Sequence, residues 1–232
     1  MIRESYLILE DAVGYCFKNK KLLMNALTHS SYSSDKGMNY SENNERLEYL
    51  GDAFFDAIIG TRLYKLLPLE REGKLSKMRA KIVCEDSLED IGKSLKLGDY
   101  LLIGKGEEQT GGRTRKSIIA NAMEAIIGAI YLDSDYDTVY DVVNKLFDDK
   151  VSLAIEGKLL TDYKTKLQEI IQKKYKDKAP SYEVIKTEGP DHDKVFFMDL
   201  ILDEEIIGKG LGKSKKEAEQ NAAADALTRG VK

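Results

Sequence analysis

The chain has 232 residues, 42% hydrophobic and 33% charged, with a formal net charge of −4 and a pI near 5.5. That length suits one large or two smaller domains with real cores, and no apolar run approaches the ~20 residues needed to cross a bilayer. The start, Met-Ile-Arg-Glu-Ser-Tyr, lacks the layout of a secretory signal, and Cys16 and Cys84 form neither a C-x-x-C pair nor a Cys/His cluster, so the expected setting is a reducing cytoplasm without zinc.

From about residue 5 to 155 apolar residues recur at helical spacing: Leu22-Leu23-Met24, Leu47-Leu50-Phe54-Ile58, Ile82-Leu88-Ile91, and Ile118 to Leu132. Short loops rich in Gly, Ser and charge separate them, at 33–41 and 104–115. The pattern predicts an all-α domain over residues 1–155. Within it, residues 44–52 read Asn-Glu-Arg-Leu-Glu-Tyr-Leu-Gly-Asp. Glu45, Glu48 and Asp52 stand at i, i+3 and i+7, within about 60° of one another on a helix. Such a stripe is either a solvated acidic face or a set of clustered oxygen ligands for a hard cation.

Residues 117–133, SIIANAMEAIIGAIYLD, are apolar nearly all round and should form a buried helix. Asn121 and Glu124 nevertheless sit inside it at i, i+3. A buried carboxylate without a partner costs several kcal/mol, so Glu124 needs a cation, a basic side chain or a water-filled cleft.

Residues 156–161 are expected to form a linker, and residues 162–232 a small α+β domain of helix, three-stranded antiparallel sheet and helix. Leu167, Ile170 and Ile171 mark the inner face of a helix at 162–175. Residues 181–187 and 195–202 alternate like strands around a turn at 189–193, and 205–210 supplies the third strand. The last helix, 214–227, opens on a capping box with Ser214 as N-cap and Glu217 three residues later. Ala218, Ala222, Ala223 and Ala226 let it pack close to the sheet. Lysines cluster at 173, 174, 176 and 178 and again at 213, 215 and 216. Local clusters of this kind matter more for nucleic acid than the negative net charge.

Several of these blocks, taken in order, resemble the ribonuclease III family. They are Thr-His-Ser-Ser-Tyr at 28–32, the nonapeptide 44–52, Gly73-Lys74-Leu75-Ser76-Lys77-Met78-Arg79-Ala80, Gly111-Gly112-Arg113, and the helix ending Ile130-Tyr131-Leu132-Asp133. The resemblance implies an endoribonuclease that cuts double-stranded RNA with Mg2+, for which Mn2+ can substitute, leaving 5′-phosphate and 3′-hydroxyl ends on ribosomal-RNA precursors and messengers. It implies metal ligation by Glu48, Asp52, Glu124 and the residue at 121, catalytic roles for Asp52 and Glu124, and a contribution from Glu45 near the cleavage centre or subunit contact. Two cations about 4 Å apart could activate water and stabilise the departing 3′ oxygen. One position departs from the family: Asn121 stands where Asp is usual, keeping an oxygen ligand but losing a charge. That departure leaves open an alternative, a double-stranded-RNA-binding protein with an impaired centre.

The second domain resembles a double-stranded-RNA-binding domain. Lys213, Lys215 and Lys216, with the helix N-terminus, would meet phosphates across the major groove. Thr165, Gln168 and Gln172 would meet 2′-hydroxyls in one minor groove, and the turn carrying His192 would reach the next. Read without the resemblance, these are solvated polar faces. Cutting both strands needs two hydrolyses, so a homodimer through the first domain is expected, with Phe54, Phe55 and Met78 as interface members.

Overall fold

A computed structural model of the protein describes residues 2–157, 159, 163–175, 178–190 and 194–230. The chain divides into two compact units, Met1–Leu159 and Leu160–Lys232. The first is helical throughout: α1 (Ile2–Val13), α2 (Lys20–Ala26), α3 (Ser30–Asp35), α4 (Glu45–Leu66), α5 (Glu72–Ile82), α6 (Glu85–Ser94), α7 (Lys105–Gln109), α8 (Lys116–Asp133), α9 (Tyr136–Leu146) and α10 (Asp148–Ile155). Among the described residues no helix is long and apolar enough to cross a membrane.

Helix α8 is the axis of this unit. Ile118, Ala122, Met123, Ile126, Ile127 and Ile130 are buried on several of its sides, as an all-round apolar sequence requires. Helix α4 buries Leu47, Gly51, Phe55, Ile58, Ile59 and Leu63 and leaves its acidic stripe outside that core. The two helices meet at a pair of glycines. A methyl group at Gly51 would overlap the Glu124 carbonyl oxygen, and one at Gly128 would overlap the Leu47 carbonyl oxygen. Backbone therefore rests on backbone, closer than side chains would permit.

Phe55 is a core residue, not an interface member: it is fully buried and packs on the Phe147 ring at 4.5 Å. Helix α4 has apolar residues on more than one side, and Phe55 lies on the side facing α8 and α9. Phe54 and Met78 are half-buried at the edge of the same core. Leu159 is buried in this unit too, its N–H donating to the Leu153 carbonyl at 2.9 Å.

The second unit runs α11 (Tyr163–Lys174), β1 (Ser181–Glu188), β2 (Val195–Leu202), β3 (Glu205–Gly212) and α12 (Lys215–Arg229). The strands form an antiparallel sheet in the order β1-β2-β3, with register breaks at Val184/Lys186 and Leu200/Ile201. Leu167 and Ile171 of α11 join Met198, Leu200, Leu202 and the four alanines of α12 in one core. Ile170, expected on the inner face, lies at its exposed border, 36% accessible. The alanines have reciprocal partners: a methyl at Gly208 would overlap the Ala222 carbonyl oxygen, and one at Gly210 that of Ala218. Small residues on both surfaces hold α12 on the sheet. The β2–β3 hairpin turns through Asp203 and Glu204 at φ 52° and 65°, a two-residue left-handed turn that matches strand twist but usually employs Asn or Gly. At the start of α12 the Ser214 hydroxyl accepts from Glu217 N–H at 3.2 Å. The Glu217 carboxylate reaches one residue further back than a capping box would, accepting from Lys213 N–H at 2.7 Å.

Candidate functional site

The α4–α8 contact brings the acids together. Asn44 fixes the start of α4: it is buried, its N–H donates to the Thr28 carbonyl, and its own carbonyl accepts Glu48 N–H, both at 2.8 Å. From there Glu45, Glu48 and Asp52 point away from the core, Glu48 half-buried and Asp52 exposed. Gly51 seats α8 so that Asn121 and Glu124 face them. The Asn121 amide donates to the Glu48 carboxylate, leaving the amide oxygen available as a ligand.

The electrostatics report the same neighbourhood. Burial and then the charges of Asp52, Glu48 and Glu85 push the Glu124 carboxyl up to about 8. Burial, then Glu45 and Asp52, raise that of Glu48 against the opposing hydrogen bond from Asn121. Among the described residues no ion pair joins Glu48, Asp52 or Glu124 to a lysine or arginine, so the salt-bridge explanation of Glu124 does not hold. Glu45 acts on Glu48 and is not among the charges that raise Glu124; it accepts a hydrogen bond from the Tyr40 hydroxyl at the outer end of the stripe.

The set is adjacent without being closed. Among the described residues no three His, Cys, Asp or Glu side chains converge closely enough to enclose an ion. The donors are nevertheless all hard oxygens on two helices locked backbone to backbone. A divalent cation would turn the mutual repulsion of Glu48, Asp52 and Glu124 into attraction, so the residues fit Mg2+ or Mn2+.

Two features escaped sequence reasoning. Asp133 anchors the end of α8, accepting from Tyr15 Oη at 2.8 Å, Lys18 N–H at 2.7 Å and Asn19 N–H at 2.9 Å. Burial works against ionisation there, but those three bonds together hold the carboxyl below its ordinary range. Tyr49, inside the acidic nonapeptide, is 80% exposed. It borders a groove of about 780 Å3 lined also by Leu22, Tyr40, Glu45, Leu50 and Leu132. The available signal was an aromatic among charged positions on the outer side of α4.

In the second unit Thr165, Gln168 and Gln172 are exposed on α11, opposite buried Leu167 and Ile171. Lys213, Lys215 and Lys216 are exposed around the start of α12. Lys164 ties the two helices, its Nζ 2.7 Å from Glu219 and its N–H donating to Gln220 Oε1 at 3.2 Å. His192 lies outside the described residues.

Comparison with known proteins agrees with this layout. Residues 19–150 match the ribonuclease-III-like family and residues 163–229 the double-stranded RNA binding motif. Ribonuclease 3 of Natranaerobius thermophilus is 47% identical over 215 residues, 93% of this chain and 92% of that protein. Ribonuclease 3 of Borreliella burgdorferi is 51% identical over 211 residues, 91% of this chain and 85% of that protein. The solved nuclease domain of ribonuclease III from Campylobacter jejuni superposes with a TM-score of 0.57 at 42% identity, covering 62% of this chain and 96% of that one. The chain belongs to the ribonuclease III family of double-strand-specific endoribonucleases, with its nuclease domain first and its double-stranded-RNA-binding domain second.

Proposed function

We propose that the protein hydrolyses phosphodiester bonds in double-stranded RNA with Mg2+ or Mn2+, leaves 5′-phosphate and 3′-hydroxyl ends, and processes ribosomal-RNA precursors and messengers in the cytoplasm. The observation that carries the reading is the facing of Glu48 and Asp52 on α4 against Asn121 and Glu124 on α8 across the glycine contact. These four would hold the ion or ions. Bound there, Mg2+ supplies positive charge to the scissile phosphate and lowers the cost of attack by water. The chain's own part is positional: Gly51 keeps α8 at fixed spacing, Asn121 orients Glu48, and Asp52, exposed to solvent, would meet the incoming RNA and water. Binding without cleavage is not favoured, because all three carboxylates are in place and Asn121 retains an oxygen.

Thr165, Gln168, Gln172, His192, Lys213, Lys215 and Lys216 would carry the duplex, reading its shape more than its sequence. Two copies joined through the nuclease domain would place one acid cluster against each strand. Exposed Tyr49 beside an apolar groove supports such an interface, and the solved C. jejuni nuclease domain is described as having a region involved in dimer formation.

The test is digestion of a long RNA duplex with Mg2+, Mn2+ or a chelator, followed by end analysis. Short duplex products that accept a ligase through their 5′-phosphate are expected only with metal. Metal-independent cutting, or 5′-hydroxyl products, would exclude the proposed chemistry.

A further inference from the structure

In the Thr-His-Ser-Ser-Tyr block the Thr28 carbonyl receives the Asn44 N–H at the start of α4, and the next residue, His29, is fixed through both its ring and its backbone. His29 is the N-cap of α3: its Nδ1 accepts the Ser31 N–H at 3.3 Å and lies 2.8 Å from Ser31 Oγ. Ser31 Oγ in turn accepts Gly104 N–H at 2.9 Å, which directs the hydroxyl proton to His29 Nδ1. A ring nitrogen that accepts from two donors carries no hydrogen, so the proton of the neutral imidazole sits on Nε2. The backbone is equally fixed: His29 N–H donates to the Leu102 carbonyl at 2.9 Å, beside the Thr28–Leu102 bridge.

The other ring nitrogen has no such explanation. Among the described residues no side chain or backbone group accepts from His29 Nε2–H, and the ring is half-buried. The Asn44 N–H donates to the Thr28 carbonyl at 2.8 Å, which sets His29 beside the start of α4, where Glu45 heads the acidic stripe; the charges of Glu107 and Glu45 both act on the ring. If capping were the whole role, Asn would serve better.

We infer that His29 is an RNA-contacting residue of the cleavage centre, its Nε2–H donating to an acceptor oxygen of the ribose-phosphate backbone beside the scissile phosphate. The inference rests on the endoribonuclease reading above.

Two variants separate the halves of the ring. His29→Asn keeps an acceptor where Nδ1 stood and removes the outer N–H. His29→Gln keeps an N–H near Nε2 and gives up the cap. For the full chain on duplex RNA with Mg2+, H29N should retain the parent's thermal midpoint and lose about tenfold in kcat/KM, the worth of one hydrogen bond. H29Q should show the reverse, a lowered midpoint with kcat/KM within roughly threefold of the parent. Duplexes carrying single 2′-deoxy or phosphorothioate replacements beside the cut identify the oxygen: one of them should slow the parent and leave H29N no slower. Parent that does not cut duplex RNA overturns the endoribonuclease reading itself. Parent that cuts, with H29N at the same rate, H29N and H29Q equally impaired, or no replacement separating parent from H29N, overturns the His29 assignment alone.

Discussion

Gly51→Ala sets two well-known effects against each other at the point where α4 and α8 touch. In an open helix the change would add about 1 kcal/mol through propensity. Here the new methyl overlaps the Glu124 carbonyl oxygen and stands 2.9 Å from the Gly128 nitrogen. Both obstacles are backbone, so neither can turn aside, and the helices must separate. Overpacking of this kind costs about 1–3 kcal/mol, and contact with main chain on both sides puts it at the upper end, for a net loss of about 2 kcal/mol. In a chain of this size that is a drop of roughly 4–8 °C in midpoint. The same separation carries Asn121 and Glu124 away from Glu48 and Asp52, and a misplacement of about 1 Å can cost ~100-fold in rate. Gly60→Ala on the same helix is the control. Its methyl would meet only the Arg79 side chain, 3.6 Å away, so the propensity gain of about 0.5–1 kcal/mol should appear. Calorimetry and duplex cleavage measure both. G51A melting at or above the parent temperature and cutting at the parent rate would refute the backbone-contact argument.

Asn121→Asp should preserve or raise activity and tighten Mg2+ binding, measured by titrating the metal dependence of cleavage, because it adds a charge to the same oxygen set; abolished cleavage would count against the cluster. Asp133→Asn should cost about 1–3 kcal/mol near neutral pH. The folded carboxyl titrates below its ordinary 3.8, so its contribution is fully present above that value and lost as pH falls through the folded one. Urea midpoints of parent and D133N should therefore converge in acid, and a constant gap would contradict the assignment. Glu204→Gly relieves a left-handed residue at φ 65° and should stabilise the second unit by about 0.5–1 kcal/mol. A lowered midpoint for E204G would show that Glu204 makes a compensating contact.

Much of this arrangement was legible in the sequence, for identifiable reasons. Residues 117–133 are apolar on every side, so a buried helix with Glu124 as its anomaly follows from the chain alone. The i, i+3, i+7 spacing places Glu45, Glu48 and Asp52 on one stripe, and strand alternation outlines the small sheet. Contacts between elements distant in sequence could not be read. Nothing local reveals that Gly51 faces Glu124 and Gly128, or that Asp133 collects hydrogen bonds from Tyr15, Lys18 and Asn19 more than a hundred residues earlier. Phe55 was misplaced because α4 offers apolar side chains to several neighbours, and periodicity does not say which neighbour each side meets. Strand β3 runs to Gly212 because Gly208, Gly210 and Gly212 lie against α12; glycines in a strand pattern ordinarily signal its end.

If the α4–α8 carboxylates cut double-stranded RNA, Glu124→Gln removes the chemistry and spares the fold. The amide keeps the shape and hydrogen-bonding capacity of the side chain, and no other acid lies between Ile118 and Leu132 to replace it. Parent and E124Q should be compared on one labelled RNA duplex with Mg2+, with binding and cleavage read from the same samples. Equal binding is expected, with short duplex products from the parent and cleavage by E124Q lower by several orders of magnitude. Cleavage by E124Q at the parent rate would contradict this.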